Sequence, residues 1–130
     1  MKIGKLFQNR SVEQRANKFY NSKKVRKLRR YDNPIVKAHV VDKINFIRKN
    51  VKLTPKTKVL EIGAGNGYFS YYIMDYCDLL VTDINKETLL LNPAKKKMIA
   101  DAKKLPFEND SFDVVMCFDA LHHVDDPEKV

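Results

Sequence analysis

The chain has 130 residues, enough for one domain, and its hydrophobic content of 44% supports a buried core and excludes a disordered chain. Its net charge of +9 is uneven: residues 1–58 hold 18 Lys/Arg against Glu13, Asp32 and Asp42, a surplus of +15, whereas residues 59–130 hold 7 against 13 acids, a balance of −6. No apolar run approaches the roughly 18 to 20 residues of a membrane span. The charged start, residues 1–5, is not followed by a signal-type apolar region. Cys77 and Cys117 make neither metal-ligand spacing nor a disulfide framework, so a reduced, cytoplasmic setting is expected.

From Ser11, a capping residue, the sequence reads as a helix with Val12, Ala16, Phe19 and Tyr20 on one face and Val25 and Leu28 further on. Lys23, Lys24, Arg26, Lys27, Arg29 and Arg30 cover most of its remaining surface. The charge asymmetry suits an anionic partner for residues 15–30, RNA or a membrane surface, although Lys-rich helices are more often only solvated faces. Asn33 and Pro34 form a cap and first-turn pair for a second helix, with Val36, Val40, Val41, Ile44 and Ile47 at helical spacing to about Asn50.

After the Thr54-Pro55 break, residues 58–62 are the first expected strand and residues 68–76 the helix behind it. Between them stand Gly63, Gly65 and Gly67, a G-x-G-x-G turn that allows positive φ and close approach to a ligand, with the helix aiming unpaired N–H groups at it. Residues 79–83 read as a second strand ending in Asp83, Asn85 caps a helix to about Leu91, and residues 97–101 read as a third strand ending in Asp101. Residues 111–118 are the fourth strand, whose continuous apolar run predicts burial on both faces. Short helices are expected near Ala120 and at Asp126-Pro127.

Strands alternating with helices predict an α/β, Rossmann-like parallel sheet with N-terminal helices: a basic helical segment, residues 1–55, and a sheet core, residues 56–130. Ligands bind such sheets at the carboxyl ends of the strands, where residues 63–67, Asp83, Asp101 and residues 118–123 converge. A dinucleotide fingerprint would need glycine where Tyr68 stands. Glu61, two residues before the first glycine, favours a ligand carrying an ammonium or sulfonium centre over a pyrophosphate. Asp83, 20 residues after Gly63, is placed to accept both ribose hydroxyls, or else to act as a loop acid or cap. Asp101 and Ala102 can present a carboxylate and an N–H to an adenine edge.

The segments E-I-G-A-G-N-G, V-T-D-I-N, A-D-A-K-K-L-P-F and S-F-D-V-V-M-C-F-D-A-L-H-H-V-D-D-P resemble, in order and spacing, successive motifs of class I S-adenosylmethionine-dependent methyltransferases, in the branch acting on small molecules and quinones. The resemblance runs from about Lys56 to Val130. It implies S-adenosyl-L-methionine as cofactor, with Glu61, Gly63, Ala64 and Gly65 around the methionine portion and Gly67 among the cofactor-binding residues. It places Asp83 and Ile84 at the ribose and Asp101 and Ala102 at adenine. Phe118 and the residues to His122 would line the place of methyl transfer. His122 and His123 are candidate general bases, with packing and capping as their alternative roles; Asp119 is a similar case, and Cys117 reads as a buried small hydrophobe.

That family's sheet has seven strands in the order 3-2-1-4-5-7-6, and the first four are present here. The expectation is a C-terminally truncated chain, or one whose fourth-strand edge is covered by a protein partner or a dimer mate. A small or lipid-like acceptor is expected, with a cofactor-binding but catalytically incomplete subunit as one alternative and an RNA methyltransferase anchored by the basic helix as another.

Overall fold

The computed structural model describes residues 11–130; the charged start lies outside them. Helix α1 (Val12–Tyr20) is capped by Ser11, whose hydroxyl accepts from Gln14 N–H at 3.2 Å, and α2 (Lys23–Leu28) follows after a break. The sequence predicts one helix here. Asn21 and Ser22 divide it, because Asn21 ends the first ladder on Asn17 and Ser22 is extended, at ψ 127. Both residue types favour local hydrogen bonds over helix continuation.

Helix α3 (Pro34–Asn50) starts where expected, with Asn33 Oδ1 accepting from Ile35 N–H at 2.9 Å. Its buried residues Val36, Val40, Ile44 and Ile47 recur at helical spacing and join one apolar cluster with Val59, Phe69, Ile73 and Val81. Each such side chain taken fully out of water contributes about 1.5–3 kcal/mol. Val41, expected on the same face, is exposed.

Four strands form one parallel sheet in the order β3-β2-β1-β4: β1 (Lys58–Ile62), β2 (Asp78–Asp83), β3 (Lys96–Ile99) and β4 (Val114–Met116). Leu60 stands opposite Leu80 on one side and Val115 on the other. Since β1 and β2 are central, their residues Val59, Leu60, Ile62, Leu79 and Val81 are buried, whereas β3 is exposed along its whole length. Two expectations need correction. The fourth strand is shorter than predicted and is not buried on both faces, because β4 is an edge strand and Val115 is 58% exposed. The helix behind the glycine turn, α4 (Ser70–Ile73), spans four residues instead of nine; Tyr72 and Tyr76 bond three residues back, in turns.

Helix α5 (Lys86–Leu90) is capped by Asn85, whose Oδ1 accepts from Glu87 and Thr88 N–H. Two single 3₁₀ turns, Leu121–His123 and Pro127–Lys129, follow β4. Among the described residues no helix is long and apolar enough to cross a membrane.

Candidate functional site

The glycine turn is held open by the end of the neighbouring strand. Gly63 and Gly65 have φ of +68° and +50°, a region that L side chains rarely occupy. Gly65 N–H donates to Asp83 Oδ2 at 2.8 Å, Asn85 N–H to Asp83 Oδ1 at 2.7 Å, and Ala64 N–H to the Thr82 carbonyl at 2.9 Å. One carboxylate at the end of β2 thus fixes the turn after β1. The turn's N–H groups at Gly65 and Gly67 donate within the protein, so the expected helix-terminal N–H cradle is replaced by this carboxylate-braced turn. Burial raises the Asp83 carboxyl pKa, and the N–H groups of Asn85, Gly65 and Ile84 oppose that shift.

Glu61 is 2% exposed on β1. Ser70 Oγ donates to its Oε2 at 2.5 Å, and Asn92 Nδ2 donates in turn to Ser70 Oγ and to the Gly65 carbonyl. Burial pushes the Glu61 carboxyl up to about 8, against the Ser70 hydrogen bond and helped by the charge of Asp83. A cation placed beside it would reverse that shift. Because the folded pKa lies above its ordinary value of 4.5, the stability that the protonated carboxyl lends is fully present below pH 4.5 and is lost as pH rises through about 8. The melting temperature of the ligand-free protein therefore falls between pH 5 and 9, and Glu61→Gln removes most of that fall. An unchanged slope in the variant would contradict this assignment.

The loop after β4 closes the same cleft. Phe118 packs on Phe69 with ring centroids 4.8 Å apart, and Ala120 lies against Gly63. Asp119, at φ +52°, binds Lys43 Nζ at 2.9 Å and His39 Nε2 at 3.0 Å, both from α3. Burial raises its pKa, but the hydrogen bonds and charges of Lys43 and His39 outweigh that and leave it lowered, so Asp119 anchors the loop and makes a weak base. His123 Nε2 lies 2.9 Å from Tyr20 Oη. Burial first, then the charges of His122 and Arg29, lower its pKa and keep the imidazole neutral at pH 7. Cys117 lines the cleft as a thiol, its pKa raised by burial and then by Glu61.

The cleft brings together Glu61, Gly63, Ala64, Gly65, Asp83, Ile84, Asp101, Ala102, Phe118 and His123. Gly67 and His122 do not line it. A Cβ on Gly67 would meet Pro93 Cδ at 2.5 Å, so this glycine serves packing against the segment before β3, and His122 is exposed on the 3₁₀ turn.

The sequence reading missed α1 and α2, which also line the cleft through Asn17, Tyr20, Arg26 and Arg29. Asn85 Nδ2 donates to Asn17 and Asn21, each at 3.0 Å, and Arg26 pairs with Glu87 on α5. Arg29 lies over the rings of Tyr20 and Tyr68, and its carbonyl accepts from Asn66 Nδ2. The asparagines, four apart beside the apolar face of α1, are the one local signal of this docking; Arg29 has none, standing in a run of like charges.

A family model described as a methyltransferase domain matches residues 60–130. The chain is 30% identical over 99 residues to an uncharacterized methyltransferase, YcgJ of Bacillus subtilis (strain 168), covering 66% of this chain and 38% of that protein. The crystal structure of that protein superposes with a TM-score of 0.61 at 26% identity, over 68% of this chain and 42% of the other. This chain thus spans about two fifths of the length of that relative. Magnesium protoporphyrin IX methyltransferase from Synechocystis PCC 6803, crystallised with bound S-adenosylmethionine, shares the fold at 17% identity, with a TM-score of 0.68 over 94% of this chain and 68% of its own.

Proposed function

We propose, because this chain belongs to the methyltransferase domain family of class I S-adenosylmethionine-dependent proteins, that its cleft binds S-adenosylmethionine and serves methyl transfer to a small or lipid-like acceptor. The observation that carries this reading is Asp83, fixed by the N–H groups of Gly65 and Asn85 in the same cleft as Glu61 and Asp101. The residues present suit the cofactor. Asp83 keeps acceptor capacity on both oxygens for a ribose diol, buried Glu61 suits an ammonium, and a Cβ on Gly65 would point into space where only Asp83 Oδ2, at 3.9 Å, comes near.

The cofactor supplies a sulfonium methyl, which a nucleophile takes in line when the two are held together. Phe118 and the loop behind it wall the cleft where the acceptor would enter. If the acceptor group must lose a proton, His123 is the base, since it is neutral at pH 7 and its ring is oriented by Tyr20, whereas His122 does not line the cleft.

The test is transfer of radiolabelled methyl from S-adenosylmethionine to cell extract, followed by separation of RNA, protein and organic-extractable small molecules. Label in the extractable fraction, absent with Asp83→Ala, is the expected result; label confined to RNA overturns the acceptor class. Arg26 and Arg29 line the cleft and Arg30 pairs with Asp32, so an RNA anchor would rest on exposed Lys23, Lys24 and Lys27. Cofactor binding with no labelled fraction favours a subunit without turnover of its own.

A further inference from the structure

Four carboxylates and two guanidinium groups line the cleft. Asp119 is met by Lys43 and His39, Asp101 has Lys103 Nζ at 3.9 Å, and Arg26 is paired with Glu87. Arg29 alone of the two cations has no carboxylate partner among the described residues. Its guanidinium lies 4.8 Å from the Tyr68 ring centroid and 5.2 Å from that of Tyr20. Arg29 Nε and Tyr68 Oη are both shut off from solvent without a hydrogen-bond partner. Arg26 Nε is in the same state, but Glu87 already answers its charge. An atom that water cannot reach is closed to a ligand in the cleft as well, so what Arg29 offers there is its charge, which no carboxylate answers, and not Nε. Burial pushes the Tyr68 phenol up to about 12, against the charge of Arg29 and its close approach to the hydroxyl, so Tyr68 stays neutral beside the guanidinium.

The amino-acid end of S-adenosylmethionine is a zwitterion. Glu61 suits its ammonium, which leaves a carboxylate that needs a cation at the glycine-turn end of the cleft. Arg29 is at that end, since its carbonyl is bonded by Asn66, directly after Gly65, and its guanidinium lies over the ring of Tyr68, directly after Gly67. Resting on the cofactor reading above, we propose that Arg29, with Tyr68 beside it, receives the carboxylate of the cofactor's amino-acid end. The residue that ends helix α2 is then part of the cofactor site, and the basic run contributes one of its charges to binding a small molecule.

The experiment compares two ligands that share the thioether nucleoside: S-adenosylhomocysteine, and 5′-methylthioadenosine, which lacks the amino-acid chain. Arg29→Gln weakens S-adenosylhomocysteine by about 10- to 100-fold, the range of a charge-assisted hydrogen bond, and leaves 5′-methylthioadenosine within about threefold, well under one such bond. Arg29→Lys, which keeps the charge without the fork, shows the same selectivity with a smaller loss and serves if the glutamine variant does not fold. Equal weakening of both ligands would make Arg29 a packing element between two tyrosines, and no change in either would place the carboxylate elsewhere; each overturns the proposal. A wild-type protein that binds neither ligand overturns the cofactor reading, and this inference with it.

Discussion

Asp83→Ala lowers affinity for S-adenosylhomocysteine by about 100-fold or more. Two charge-assisted hydrogen bonds to a ribose diol are each worth about 1.5–3 kcal/mol, and 1.4 kcal/mol is a tenfold change in affinity. The substitution also strips the glycine turn of its brace. Gly65 and Asn85 N–H, at 2.8 and 2.7 Å from the carboxylate, lose their acceptor in a partly buried setting, so the melting temperature falls as well. Asp83→Asn keeps the size and one carbonyl oxygen but aims an NH₂ group at one of those two N–H groups, so it rescues neither property fully. Calorimetric titration with thermal melts measures both effects. A variant that binds within threefold of wild type would remove Asp83 from the ribose role.

Gly63→Ala and Gly65→Ala separate stability from binding. At Gly63, φ of +68° is combined with a Cβ that would stand 2.4 Å from Ala120 Cβ. A left-handed non-glycine residue costs about 1–2 kcal/mol, and overpacking about 1–3 kcal/mol more. Gly63→Ala therefore destabilises by about 2–5 kcal/mol, a large part of the marginal stability of a small domain. At Gly65 the added Cβ meets nothing nearer than Asp83 Oδ2 at 3.9 Å. Only the backbone term of about 1–2 kcal/mol applies there, while the methyl occupies cleft space in front of the turn, so Gly65→Ala loses ligand affinity out of proportion to its stability. Denaturant melts and titrations on both variants check this. The reverse order of effects would mean that the ligand approaches Gly63 more closely than Gly65.

Much of this arrangement was legible in the sequence, because the decisive signals are local. Three alternate glycines after K-V-L-E-I and acids ending two later apolar runs depend only on neighbours in the chain, and they mark the floor of the cleft; the 3-2-1-4 strand order was implied by the family resemblance and is the order observed. What was not legible depends on distant partners. The apolar run around Val114 and Val115 cannot say whether both faces are covered; the edge position of β4 decides it and leaves Val115 exposed. Ser70 reads as a helical residue, but its hydroxyl serves Glu61, and the helix around it shrinks to one turn. Arg29 reads as one of six like charges, and only the docking of α2 against Tyr68 singles it out. Of the adjacent histidines, the 3₁₀ turn puts His123 toward the cleft and His122 toward solvent.

The most direct measurement is a calorimetric titration of the folded wild-type protein with S-adenosylhomocysteine, run beside Asp83→Ala. A saturable one-to-one isotherm with a rise in melting temperature, both lost in the variant, is the predicted result. A cooperatively melting wild-type protein that gives neither heat nor a thermal shift would contradict the assignment of this cleft to S-adenosylmethionine.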